Sequence, residues 1–254
     1  MKSQGKYRIK VLEKALSILE LFDEKGKELT VTEISGSLQL NKPSSFRILS
    51  NLEDFGYLDK DPKTARYSLG PKLHHLGSLA EPHARIWKTA RPFLKDLNEQ
   101  CHETVHLAVL HQGEALYVDK IEGKRTIRVI TRVGARLPAH CSGVGKVLLS
   151  ALSEEALGNT LSEKGLSRFT ENTITDLDVL KQELAKCRKR GYATDNEEIE
   201  EGLKCVAAPV YEKGEIVAAI SISAHSKRFS RKTPSYVSLV KGTAKAVSEA
   251  FSRY

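Results

Sequence analysis

Apolar residues in the first 70 positions recur first at helical and then at strand spacing. From Lys10 to Asp23, Val11, Leu12, Ala15, Leu16, Ile18, Leu19 and Phe22 share one helical stripe. A polar turn occupies residues 24–28. Thr30-Val-Thr-Glu33 has the form of a capping box, in which hydroxyl and carboxylate each satisfy the other residue's amide. It opens a short helix with Ile34 and Leu38 one turn apart, broken at Leu40-Asn41. Asn41 caps a second helix that tolerates Pro43 in its first turn. Ser45, Ile48, Leu49, Leu52 and Phe55 form its packed stripe, and Gly56 stops it. Segments 57–60 and 66–69 flank Asp61-Pro-Lys-Thr64, which predicts a β-hairpin with a charged tip.

Residues 71–100 predict an interrupted helical connector, broken at Pro82 and resumed with Ile86, Trp87, Ala90, Phe93, Leu94 and Leu97. A monomer is expected to bury only part of that stripe. Beyond Cys101 the spacing shortens towards two. Strands are expected at 106–111 and 115–119, joined at Gln112-Gly113, at 127–130, and at 204–211 and 216–223 around Lys213-Gly214. Helices are expected at 143–152, at 176–190 with Gly191 as the stop, and at 231–254. Hairpins mixed with helices imply an α+β or mixed α/β fold. The expected division is 1–70, 71–100 and 101–254.

Composition narrows the function. The 254 residues suit one large or two modest domains, with 40% hydrophobic and 28% charged residues. No apolar run approaches 18 residues, which excludes a transmembrane helix, and no apolar run follows the basic start, so the cytoplasm is expected. Cysteines 101, 141, 187 and 205 form no C-x-x-C pair, so reduced thiols and no cofactor are expected. The net charge of +8 fits a nucleic-acid partner, but residues 1–70 hold only 12 basic against 10 acidic residues. Local placement therefore carries the argument.

Two short helices, a capped second helix and a hairpin form the pattern of a winged helix-turn-helix, whose second helix presents its unpacked face to the major groove. Opposite the packed stripe lie Lys42, Ser44, Arg47 and Asn51, with Phe46 on the flank facing the first helix or a thymine methyl. Arginine suits guanine and asparagine suits adenine. Ser45 is counted with this set, and Lys63 and Arg66 at the hairpin tip with phosphate contact. A bland reading, a solvated polar helix face, explains the single residues but not their order.

In the second half, Ser142-Gly-Val-Gly145 precedes a helix, where amides and dipole favour an anion. It is equally an ordinary helix entry. Ser221 and Ser223 share a strand face, towards a ligand or towards water. Asp195 stands near the acidic run 197–201, and Cys205 reads by default as a core thiol. Two other classes compete. An enzyme would need a pair such as Cys141 with His140, or Cys205 with His106. A metal or thiol-redox sensor would cluster His106, His140, Cys141 and Cys205, without tight ligand spacing.

The runs 15–22, 40–49 and 52–58, and then 137–146, 200–208 and 218–223, resemble in order the signatures of the IclR family of bacterial transcription regulators. The resemblance spans roughly residues 7–251. It implies a winged domain, a linker helix and a GAF-like effector domain with a mixed antiparallel sheet and flanking helices. It implies a regulator rather than an enzyme, a repressor of a catabolic operon that reads an inverted-repeat DNA operator as a homodimer or tetramer. It also implies that the backbone at Gly143 and Val144, with Asp195, Cys205, Ser221 and Ser223, surrounds a small carboxylate effector. Leu137, Ala139 and Leu203 would shape the apolar side.

Overall fold

The first helix, α1 (Lys10–Glu20), buries Ile18 against α2 (Val31–Ser37) and α3 (Lys42–Asp54). The structure, a computed structural model, describes residues 9–22, 27–79, 83–124 and 131–252. The expected strand at 127–130, the break at Pro82 and most of the turn before Glu28 lie outside those residues. The chain divides into two compact units, Met1–Ala84 and Arg85–Tyr254. That boundary falls inside the segment expected as a separate connector. Its first helix, α4 (Pro71–Leu79), belongs to the first unit, and all but the start of α5 (His83–Cys101) belongs to the second.

In the first unit the predicted caps form. Thr30 Oγ1 accepts from the Glu33 amide, and Glu33 Oε2 accepts from the Thr30 amide at 2.7 Å. Asn41 Oδ1 accepts from the Ser44 amide at 2.8 Å. Ile34, Ile48, Leu49, Leu58 and Tyr67 close the small core. The hairpin pairs β1 (Leu58–Lys60) with β2 (Tyr67–Leu69). Phe55 departs from its expected place in the core stripe: it is the C-terminal cap residue of α3 and is 70% exposed.

The second unit is built on a six-stranded sheet, β5 (Arg136–Pro138), β4 (Glu114–Ile121), β3 (Thr104–His111), β8 (Glu215–His225), β7 (Leu203–Glu212) and β6 (Ala193–Asn196), in that spatial order. Every pairing among the described residues is antiparallel, as expected for an antiparallel sheet with flanking helices. Both tight hairpins carry positive φ at two successive residues, Gln112-Gly113 and Lys213-Gly214, as primed turns require.

One sheet face is aliphatic and lies under α5 and α9 (Ser226–Phe251). Ile86, Ala90, Leu94 and Leu97 of α5 are consumed in this core, so much of the stripe expected to remain uncovered is buried within the unit; Trp87 stays 37% exposed. The other face takes α6 (Gly143–Leu149) and α8 (Leu177–Arg190), with Val144, Val147, Leu148 and Cys187 against Ala108, Ala207 and Ala219. Some helix bounds differ from expectation: α1 ends at Glu20, α6 ends at Leu149, and α9 begins at Ser226 behind a His225 cap; α7 (Glu154–Lys164) is an additional helix. Helix α7 has Ser153 as its N-cap and Gly165 beyond its end, yet buries only Leu157 and Leu161, too few to announce a periodic stripe.

Two glycines make opposite predictions. A Cβ on Gly145 would lie 2.3 Å from the Ala139 carbonyl oxygen, so Gly145→Ala is expected to cost about 1–3 kcal/mol or more through forced backbone shifts. A Cβ on Gly158 in α7 meets nothing within 4 Å, so Gly158→Ala is expected to stabilise by about 0.4–1 kcal/mol. Urea unfolding of both variants checks the pair; equal effects would contradict the geometry.

Candidate functional site

Helix α3 presents its solvent face where its packed face ends. Ser45, Ile48 and Leu49 are buried, which places Pro43 and Arg47 near the centre of the opposite side and Phe46 on its flank. Lys42 and Asn51 are exposed, and Ser44 is half-buried. Three of the expected DNA contacts are placed differently. Ser45 is fully buried and offers nothing to a groove. The Asn51 side chain turns back to donate to the Arg47 carbonyl at 2.8 Å, so its amide is engaged within its own helix. Arg66 donates to the Glu28 carbonyl at 3.0 Å and meets the Glu33 carboxylate at 3.4 Å, so it ties the hairpin to the start of α2.

Arg47 and Asn51 also border a groove of about 350 Å³ lined by Val11, Leu12, Phe55 and Tyr57. Phe46 is 51% exposed, with the Lys60 ammonium 5.7 Å from its ring. Lys63 is exposed at the hairpin tip, where Asp61 Oδ1 accepts from its amide at 2.7 Å. Pro43 was missed by pairing complementary chemistry with bases; counting angles around the helix finds it.

The second site lies on the α6 face of the sheet. Antiparallel register sets its members in two adjacent rungs. In one, Lys120 faces His106, His106 faces Ser221, and Ser221 faces Ala207. In the next, Thr104 faces Ser223, Ser223 faces Cys205, and Cys205 faces Asp195. Directly opposed residues share a face, so these side chains converge. Asp195, His106, Ser221 and Ser223 are all at most 3% exposed.

Helix α6 starts directly above them. A Cβ on Gly143 would lie 3.5–3.7 Å from Ala207 Cβ, Cys205 Cβ and the Asp195 amide nitrogen. Ala139 and Val144 are buried, and Leu137 and Leu203 are half-buried. The structure thus brings together the expected Gly143, Val144, Asp195, Cys205, Ser221 and Ser223. Leu203, opposite His225, stands at the sheet end on the Cys205 face.

Polar contacts knit the cluster. Cys205 Sγ lies 3.0 Å from Ser223 Oγ. Ser221 Oγ and Ser223 Oγ each lie 3.4 Å from His106 Nδ1. His106 Nε2 lies 2.6 Å from Thr131 Oγ1, and Tyr117 stands edge-on to the imidazole at 5.0 Å. Asp195 Oδ1 accepts from the Glu198 amide at 2.8 Å. Beside it, fully buried Lys146 donates to Glu198 Oε1 at 2.6 Å, and Glu198 Oε2 has no hydrogen-bond partner among the described residues.

Burial governs the protonation states. It pushes the Asp195 carboxyl up to about 7, reinforced by the Glu198 charge and opposed by hydrogen bonds and Lys146. It lowers His106 to about 3, with Lys120 adding to the effect, so the imidazole is neutral. It raises Cys141 to about 12 and Cys205 well above its ordinary value. Protonated thiols are poor nucleophiles and poor redox sensors. Among the described residues no three His, Cys, Asp or Glu side chains converge as a metal site. His140 is turned away, its Nε2 3.0 Å from the Ser167 carbonyl.

His106, Tyr117, Thr131, Lys146 and Glu198 belong to this environment without having been expected there as ligand-site residues. His106 stands two positions from Thr104 and Ala108 on an alternating strand, a face assignment that sequence supports only once the strand's partners are known.

A reading helix with a hairpin wing in one unit, and a sealed polar site in the other, define a ligand-responsive DNA-binding transcription regulator. The IclR helix-turn-helix domain model matches residues 11–62, and the bacterial transcriptional regulator IclR C-terminal model matches residues 80–249. The chain belongs to the IclR family, whose members are transcription regulators rather than enzymes. It is 37% identical over 221 residues to the HTH-type transcriptional regulator XynR of Escherichia coli (strain K12), covering 87% of this chain and 88% of that protein. It is 34% identical over 241 residues to the HTH-type transcriptional repressor AllR of the same organism, covering 94% and 89%. The crystal structure of the Thermotoga maritima IclR superposes with a TM-score of 0.76 at 33% identity, covering 96% of this chain and all of that one. Among the described residues no helix is long and apolar enough to cross a membrane.

Asp195 sets a pH dependence with a definite sign. Its carboxyl binds a proton more tightly in the folded chain, about 7, than at the ordinary value of 3.8. The corresponding stability is full below about 3.8 and is lost as pH rises through about 7. Asp195→Asn cannot ionise, so its stability relative to the wild type is expected to grow between about pH 4 and about pH 8. Urea midpoints across that range check this; a constant difference would contradict it.

Proposed function

We propose that the chain represses transcription by reading an inverted-repeat operator as a homodimer or tetramer, and that a small carboxylate held in the second unit controls its affinity. The observation that carries this reading is the convergence of Ser221, Ser223 and Cys205 beneath the first turn of α6, on a sheet face whose apolar members are mostly alanines. Placing several polar side chains in a buried sheet face carries a desolvation cost that a purely apolar face avoids, and a ligand bound by them accounts for their being there. The Ser221 hydroxyl and the backbone at Gly143 and Val144 suit a carboxylate, with Ser223 and Cys205 beside them. Asp195 accepts from a hydroxyl on the same ligand, while Leu137, Ala139 and Leu203 cover its apolar side.

On the DNA side the reading rests on Arg47 at the centre of the exposed α3 face, with Lys42, Ser44, Pro43 and Phe46 around it and Lys63 on the wing. Self-association is supported by α1, where Val11, Leu12 and Leu16 are each more than half exposed. A homodimer matches the two-fold symmetry of an inverted repeat. The repressor sense is supported by the relative AllR, itself a transcriptional repressor.

Operator titration by fluorescence anisotropy, with and without a panel of short hydroxy- and oxo-acids, tests both halves. Arg47→Ala is expected to weaken operator binding by about 1–3 kcal/mol and to relax preference at one position per half-site. Lys63→Ala is expected to weaken all sequences alike. Ser221→Ala with Ser223→Ala is expected to leave ligand-free operator affinity unchanged and abolish the ligand response, whose size in the wild type should be roughly 5–150-fold. Wild-type behaviour of Arg47→Ala would overturn the reading-face assignment. An intact response in the serine double variant would move the ligand elsewhere.

A further inference from the structure

The polar cluster on the α6 face is a chain of neighbours, each of which has at most one proton to place. At one end stands Asp195, which has no proton to give when ionised. Its Oδ1 accepts from the Glu198 amide, and the residue faces Cys205 directly across the β6–β7 pair, where burial and the Asp195 charge both raise the thiol. An ionised carboxylate only accepts, so the Cys205 S–H donates to it. The sulfur is then left as an acceptor, and its next neighbour is Ser223 Oγ at 3.0 Å. Ser223 therefore spends its single proton on sulfur. Its oxygen remains free to accept from His106 Nδ1, 3.4 Å away. A neutral imidazole carries one N–H. With that proton on Nδ1, Nε2 is an acceptor, and Thr131 Oγ1 at 2.6 Å donates to it. Every link then has one donor and one acceptor.

We infer that Asp195, Cys205, Ser223, His106 and Thr131 form one directional hydrogen-bond relay, poled by the Asp195 carboxylate, that fixes His106 as the Nδ1–H tautomer and leaves the Ser221 hydroxyl proton for the ligand. His106 is thus a positioning residue that acts through the two serines. Ser221 Oγ also lies 3.4 Å from Nδ1. Were Nδ1 the acceptor, a serine proton would turn towards the imidazole and away from the ligand. With Nδ1 the donor, Ser221 presents O–H to the ligand space. The site then selects an acceptor such as a carboxylate oxygen over a donor such as an amine. This last step rests on the proposed carboxylate site; the polarity of the relay does not.

Neutron diffraction from crystals of the ligand-free full chain, grown above neutral pH so that Asp195 is ionised, locates the deuterons directly. The expected result is a deuteron on His106 Nδ1 and none on Nε2, with the Ser223 deuteron pointing to Cys205 Sγ. In Asp195→Asn crystals the new amide donates to Cys205, the chain reverses, and the His106 deuteron is expected on Nε2. Two results would overturn the relay: a wild-type deuteron on Nε2, or an Nδ1 deuteron that Asp195→Asn leaves in place. Neither needs a ligand, so failure of the relay is distinguishable from failure of the carboxylate site. Where the variant does not crystallise, the wild-type arm decides alone.

Discussion

A carboxylate cannot be sealed between an alanine-rich sheet face and a helix without compensation, and Asp195 is sealed there. Removing a charge from water costs several kcal/mol even after relaxation. Here the compensation is local: the Glu198 amide donates to the carboxylate, and the buried Lys146 ammonium lies close by, itself paired with Glu198. Buried ion pairs of this kind are seldom the cheapest way to fill a core, because apolar residues of similar volume often stabilise as well or better. The α5–α9 side answers its own buried carboxylates with arginines, Asp119 with Arg91 of α5 and Glu103 with Arg228 of α9, inside a largely aliphatic core, whereas the α6 side gathers Asp195, Cys205, Ser221, Ser223 and His106 in one cluster. The α5–α9 side supplies the core, and the α6 side supplies chemistry.

That division accounts for small residues whose role is otherwise obscure. Ala207, Ala219 and Ala108 keep the α6 face shallow, and Gly143 lets the first turn of α6 settle onto it. Gly145 serves the chain rather than a ligand, since its hydrogen points at the Ala139 backbone where no Cβ fits. In the first unit the separation is between faces of one short helix. Ser45, Ile48 and Leu49 hold α3 against α1 and α2, and Arg47 and Phe46 remain outside. Arg66 lies between the two roles, because its pairing with Glu28 and Glu33 fixes the angle of the wing.

Local signals were legible before any coordinates. The Thr30–Glu33 capping box, the Asn41 cap, the two primed hairpin turns and Gly191 each depend on a few neighbouring residues, and each is where the sequence places it. The residues Asp195, Cys205, Ser221 and Ser223, which the resemblance groups, lie beside one another on one sheet face. What escaped was set by partners distant in sequence. His106 lies more than 100 residues from the serines it faces, and Lys146 finds Glu198 across 52 positions. The same holds for Arg66, whose carbonyl partner Glu28 lies 38 residues away. Ser45 was ambiguous because a serine fits both a packed stripe and a polar face, and only burial decides.

Hydrogen exchange on the full chain, with and without saturating short hydroxy- and oxo-acids, tests most directly whether the sealed polar face is the ligand site. The account predicts that at least one acid slows exchange in residues 139–147, 193–206 and 219–224 together, the three segments that meet around Asp195. Protection confined to other segments, or an unchanged pattern with an acid that alters operator binding, would contradict it.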